Sequence, residues 1–190
     1  MSKRKFILVS LVLAVLAGAG IWGTSAYFVS EEKVHNIITS GGISIDLLEE
    51  TSAKDKNGDP VPFSDIKNAM PGETYSKIPK VKNTDSGDAW VRIKIEKTVR
   101  LTDGSTAEVP EGALILDLNT ENWLEKDGYY YYSKILKPTE TTEPLFTTLT
   151  LKKELENEFM DAKFTLDLIA EAVQVANNGS SALTANGWGE

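Results

Sequence analysis

The sequence predicts an all-β fold, an antiparallel β-sandwich of jelly-roll type with one short helix or loop insertion. Three observations lead there. Apolar residues alternate with polar ones at several places along the chain. Turn-forming Gly, Pro, Asn and Asp clusters recur roughly every ten residues. One segment, residues 122–132, has the form of a β-hairpin closed by Asp127-Gly128.

Ile43, Ile45 and Leu47 alternate with Ser44 and Asp46 after Gly41-Gly42, which reads as a half-buried strand. Val91, Ile93 and Ile95 alternate with Arg92, Lys94 and Glu96, predicting a strand with one apolar and one charged face, and Asp103-Gly104 supplies the next turn. Phe164, Leu166, Leu168, Ala170 and Ala172 form the last long alternating run. Residues 149–159 place Leu151, Leu155 and Phe159 on one helical face but fit a strand followed by a loop as well. Residues 53–62 and 137–144, polar and proline-bearing, are candidate loops. These elements divide the chain into residues 1–26, an N-terminal segment 27–42, a sandwich domain 43–176, and a small, polar, flexible C-terminal tail 177–190.

Residues 1–26 read as a signal peptide. Lys3, Arg4 and Lys5 form a basic start, residues 6–17 an apolar stretch, and Gly18-Ala19-Gly20 a small-residue region. Thr24 and Ala26 are the small residues that place the cut before Tyr27. The alternative is an uncleaved anchor, because the uncharged run to Ser30 exceeds the ~20 residues a spanning helix needs. Gly residues and Trp22 interrupt that run and favour cleavage. Removing residues 1–26 takes three positive charges from a net of -8 and leaves -11. Such a product repels nucleic acid and anionic membrane, so membrane contact is expected only through the peptide before cleavage.

No cysteine is present, which excludes disulfides, thiolate metal sites and cysteine nucleophiles. The single histidine, His35, cannot form the paired-histidine motif of a zinc protease. With no second histidine, the usual nucleophile–base pairs are missing too, and the expectation is a protein without catalytic residues, metal or cofactor. Asp55-Lys56-Asn57-Gly58-Asp59 has alternate oxygen ligands like the start of a calcium loop, but Pro60 and Ile66 stand where glycine and a bidentate glutamate belong, so a solvated turn is the preferred reading. Trp123, Tyr129, Tyr130, Tyr131 and Tyr132 are either cross-strand packing in a hairpin or aromatics that bind a surface ligand such as a glycan.

Three segments resemble the TasA/camelysin family of biofilm-matrix proteins. The first is Gly23-Thr24-Ser25-Ala26-Tyr27-Phe28 with Asn36 and Gly41-Gly42-Ile43. The second is Met70-Pro71-Gly72-Glu73, Val81-Lys82-Asn83-Thr84 and Gly87-Asp88-Ala89-Trp90-Val91-Arg92-Ile93. The third joins Trp123 and Asp127 through Tyr132 to Leu145-Phe146 and Ala170-Glu171-Ala172-Val173-Gln174-Val175. The set is similar to the shorter, clostridial-type, BsaA-like members. The resemblance implies export through a signal peptidase of SipW type, a secreted location in the matrix or on the surface of a Gram-positive bacterium, and a jelly-roll-like subunit that polymerises into fibres with itself and other matrix proteins as partners. It also implies a donor strand formed by the segment that cleavage frees. Tyr27, Phe28, Val29, Val34, Ile37 and Ile38 supply apolar side chains for that role; the bland alternative is that the segment forms the first strand of its own domain. A monomeric surface adhesin using the tyrosine hairpin is the alternative function. N-terminal sequencing of the secreted protein is expected to begin at Tyr27; a start at Met1 would refute the cleavage.

Overall fold

The computed structural model describes residues 27–28, 36–40, 42–64, 66, 69–155, 159 and 161–189. The signal-peptide reading of residues 1–26 lies outside them, as do Val29, Val34 and His35. Among the described residues no helix is long and apolar enough to cross a membrane.

Among the described residues thirteen strands follow in chain order: β1 Tyr27–Phe28, β2 Asn36–Ser40, β3 Ile45–Lys54, β4 Pro60–Pro62, β5 Thr74–Ser76, β6 Ile78–Asn83, β7 Ala89–Arg100, β8 Thr106–Ala107, β9 Leu114–Leu116, β10 Trp123–Lys126, β11 Tyr129–Tyr132, β12 Thr148–Leu151 and β13 Lys163–Gln174. They form an all-β sandwich. A seven-stranded sheet has the order β1-β13-β7-β11-β10, with β2 also on β13 and β8 also on β7; two three-stranded sheets have the orders β5-β12-β9 and β4-β3-β6. All pairings from β3 onward are antiparallel. β1 and β2 alone pair in parallel.

One core joins the three sheets. Ile43, Ile45, Leu47 and Val81 come from around β3 and β6, Leu114, Leu149 and Leu151 from β9 and β12, and Val91, Ile93, Phe164, Leu166, Leu168 and Ala170 from the large sheet. The predicted alternation in β3 and along β13 is borne out by this burial, because period-two side chains meet the core from one face of each strand. Within residues 149–159 the first three belong to β12: Leu149 and Leu151 face the core, and pairing with β5 and β9 satisfies the backbone; the described residues 152–155 that follow are loop. Near the C-terminus Ala182–Thr184 forms a 3-10 turn.

The hairpin forms as predicted. Lys126 pairs with Tyr129 across a two-residue turn in which Asp127 and Gly128 both take positive φ, 51° and 79°, the geometry that Asp-Gly accommodates at least cost.

Two polar side chains fix the loops. Asn83 is fully buried, donates through Nδ2 to the carbonyls of Gly87 (2.8 Å) and Leu136 (3.0 Å), and accepts at Oδ1 from the Asp85 amide (2.9 Å). Asn83→Ala would strand the Gly87 carbonyl and the Asp85 amide and leave the Leu136 carbonyl only the Ala89 amide, and is expected to cost about 2–3 kcal/mol in urea unfolding.

Asp117, on the loop after β9, accepts from the amides of Thr147 (2.8 Å) and Thr148 (2.6 Å) and from the Thr147 hydroxyl. Partial burial pushes its carboxyl up, but these donors outweigh it and hold the group below the ordinary aspartate value. Its contribution to stability is therefore fully present above the unfolded pKa of about 3.9 and lost as pH falls through the lower folded value. Asp117→Asn is expected to lower the urea midpoint at pH 7, with the difference from the parent shrinking as pH falls through the aspartate range.

Candidate assembly edge and the aromatic face

The longest strands, β7 and β13, pair along their whole length, from Lys163↔Arg100 to Gln174↔Ala89. The other edge of β13 is paired, among the described residues, by the N-terminal segment. Tyr27 and Phe28 lie opposite Lys163 and Phe164, and Asn36 through Ser40 opposite Ile169 through Val173. Ile37 is half-buried against the common core, and β2 also approaches β3. The segment thus closes the seam between the large sheet and the β4-β3-β6 sheet. Of the residues proposed as donors, Tyr27, Phe28, Ile37 and Ile38 are placed on the edge of their own sheet.

The remaining edges offer little backbone. β10 is four residues long, and its Trp123 amide already donates to the Asn119 carbonyl at 3.1 Å. β4 begins and ends in proline, which has no N–H to give. β8 has two residues and β5 and β9 three each. β6, six residues long, is the other edge of its sheet, but the Thr142 and Leu145 amides donate to its Val81 and Pro79 carbonyls and its Asn83 amide donates to the Glu140 carbonyl. A long unpaired edge templates another strand, and among the described strands β13 would present the longest one if its N-terminal partner left.

The tyrosine-rich hairpin is not a surface platform. Trp123 and Tyr132 are 2% and 4% exposed and belong to the common core, their rings 5.1 Å apart. The Trp123 indole donates to the Glu143 carbonyl at 3.1 Å, and the Tyr132 hydroxyl to the Glu143 carboxylate, which also meets Lys134. Tyr131 is 7% exposed on the opposite face, leaving Tyr129 and Tyr130 half-buried. Of the two readings of the five rings, the burial of Trp123, Tyr131 and Tyr132 fits packing in the hairpin and removes these three from the candidate surface-binding aromatics. Adjacent tyrosines point to opposite faces, and both faces here are covered.

What covers the outer face is the C-terminal segment. Residues 178–189, expected to be a mobile tail, fold back over β7 and β11. The Trp90 indole donates to the Asn178 carbonyl at 3.0 Å, and Asn178 pairs through its side-chain amide with the backbone of Asn186 at 2.9 and 2.7 Å. Gly179 is required at that turn: its φ is +66°, and a Cβ there would lie 2.9 Å from the Thr184 carbonyl. Ala182 and Ala185 are buried with Trp90, Tyr131 and Val173.

At the centre is Arg92, expected on a charged solvent face and instead 7% exposed. Its Nε and Nη2 donate to one Glu171 oxygen (2.8 and 2.6 Å), Nη1 to the Tyr131 hydroxyl (3.1 Å) and Nη2 to the Gly189 carbonyl (3.1 Å). The guanidinium lies 3.7 Å from the Tyr129 ring centre and 4.8 Å from that of Trp188, which meets Tyr131 edge-on at 5.9 Å. Planarity and weak hydration let arginine fill such a cage where lysine would not. Sequence reasoning missed Glu171 and Trp188. The available signals were a carboxylate set between Ala170 and Ala172 in the alternating run and a tryptophan in a mostly small, polar tail.

The Asp55 turn is self-contained. The Asp55 carboxylate accepts from the amides of Asn57 (2.8 Å) and Asp59 (2.9 Å), so those lone pairs serve the turn. Among the described residues no cluster of three or more His, Asp or Glu could hold a metal ion.

No family model and no curated protein matches the chain. Among solved structures, the ASH / PapD-like domain of human CEP192 (PapD-like domain 7) aligns over 74% of this chain and 81% of that chain, with 11% sequence identity and a TM-score of 0.30.

Arg92→Ala leaves Glu171 buried without its partner and is expected to cost about 3–5 kcal/mol in chemical unfolding. The double variant Arg92→Met/Glu171→Leu should recover most of that loss. A loss below about 1 kcal/mol for the single change would show the pair to be solvated.

Proposed function

We propose that this chain is an exported structural subunit that, once freed of residues 1–26, assembles into extracellular fibres by strand addition. The observation that carries the reading is the dependence of the β13 edge on the N-terminal segment: a 12-residue strand has one flank filled by β7 and the other by two short parallel strands, β1 and β2, of 2 and 5 residues. Backbone pairing does not distinguish an own strand from an identical one on a neighbouring copy. A segment that lies at the new chain end after cleavage can leave its own sheet and fill the same flank next door. Tyr27 and Phe28, which pair with β13 as β1, are the residues that cleavage would place at that end.

Ile37 supports the reading from the side-chain level, since it packs on the common core opposite Ala170 and would anchor an incoming strand in register. The resemblance to the TasA/camelysin group, carried by motifs spread over most of the chain, points the same way. The adhesin alternative has less to stand on, because three of the five hairpin rings that would stack on a sugar are buried.

Electron microscopy and size-exclusion chromatography of protein beginning at Tyr27 should show fibres, and deletion of residues 27–40 should abolish them. A synthetic peptide of residues 27–42 should then bind the deleted protein in a 1:1 complex. Unchanged polymerisation after the deletion, or monomer at every concentration, would sink the proposal.

A further inference from the structure

We propose that residues 178–189 form a strap that slows the release of β2 from β13 without favouring an own strand over a neighbour's; this rests on the assembly reading for its consequence but not for its measurement. β2 meets β13 at residues 169–173, with Ile38 opposite Glu171 and Ser40 opposite Val173. Those same two β13 residues carry the strap on the outer face. Val173 packs with Trp90, Ala182 and Ala185, and Glu171 binds Arg92, whose guanidinium also holds the Gly189 carbonyl and lies under Trp188.

The burial pattern marks the footprint. Along β13 it alternates from Lys163 to Ala170, and then Glu171, Ala172 and Val173 are buried in succession; along β7 the residues from Ala89 to Ile93 are buried in succession. Both faces of the sheet are therefore covered where β2 pairs and nowhere else on these two strands. Glu171 is the coupling point. Its carboxylate is shielded by the strap above and flanked by β7 on one side and β2 on the other. Losing β2 wets the ion pair from the edge, and losing the strap wets it from above. An ion pair loses most of its strength when either cover is removed, so each cover makes the other harder to remove. A strand from a second copy would meet the same covered carboxylate, so the strap contributes equally to self-paired and cross-paired states and raises only the cost of the open one.

Hydrogen–deuterium exchange on monomeric protein beginning at Tyr27 tests this. Trp188→Ala should speed exchange of amides 36–40 and 169–173 by roughly tenfold, the scale of a lost aromatic and cation contact, while amides 114–116 and 148–151 in the other sheet are unchanged. Trp188→Phe should restore most of the protection. No change at 36–40, or an equal rise in both sheets, would overturn the strap. Because the measurement is made on the monomer, a failure to form fibres would remove the assembly reading while the exchange rates still decide this one.

Discussion

The structure depends on satisfying the backbone of β13. A strand of that length in the middle of a sheet needs partners on both flanks, since each unpaired N–H or C=O shielded from water carries a penalty comparable to a lost hydrogen bond. β7 meets the demand on one side residue for residue. On the other side the demand is met by chain that precedes the domain in sequence and runs parallel to β13, a pairing otherwise unused among the described strands. Parallel neighbours cannot be joined by a tight turn, and the entire sandwich, β3 to β12, intervenes between β2 and β13. That long separation means that no short connection ties the flank to the strand it covers.

The sandwich itself was largely legible in the sequence. Period-two alternation located β3, β7 and β13 and sorted Phe164, Leu166 and Leu168 to the core, because one face of each strand is buried and the rule of alternation is strict. Asp127-Gly128 was readable because few residue pairs tolerate two consecutive positive φ values. Residues 149–159 were ambiguous because the spacing of Leu151 and Leu155 suits a helical period, and what decided for a strand at Thr148–Leu151 was pairing with β5 and β9, which no local pattern announces.

The outer face was not legible, for a physical reason. Arg92 in an alternating strand reads as solvent-facing, and a tail rich in Gly, Ser and Asn reads as loose. Each is true of its own segment alone. Arg92 is buried only because Glu171, Tyr129, Tyr131 and Trp188, from β13, the hairpin and the chain end, converge on it. Burial of a charge is a property of the assembled neighbourhood and not of the residue. The tyrosine run was misleading in the opposite sense, since four consecutive aromatics suggest display, whereas two covered faces absorb three of the five hairpin rings.

The prolines that bound β4 bear on the proposed strand addition. With Pro60 and Pro62 at the rim of one sheet, only two to four residues at the rims of β8 and β10, and β6 covered by residues 140–145, the β13 flank is the longest place among the described residues where another chain would be received. In the proposed assembly each unit would give one segment and receive one, so the product would be an unbranched thread whose length is governed by how often the terminal receiving site is stoppered.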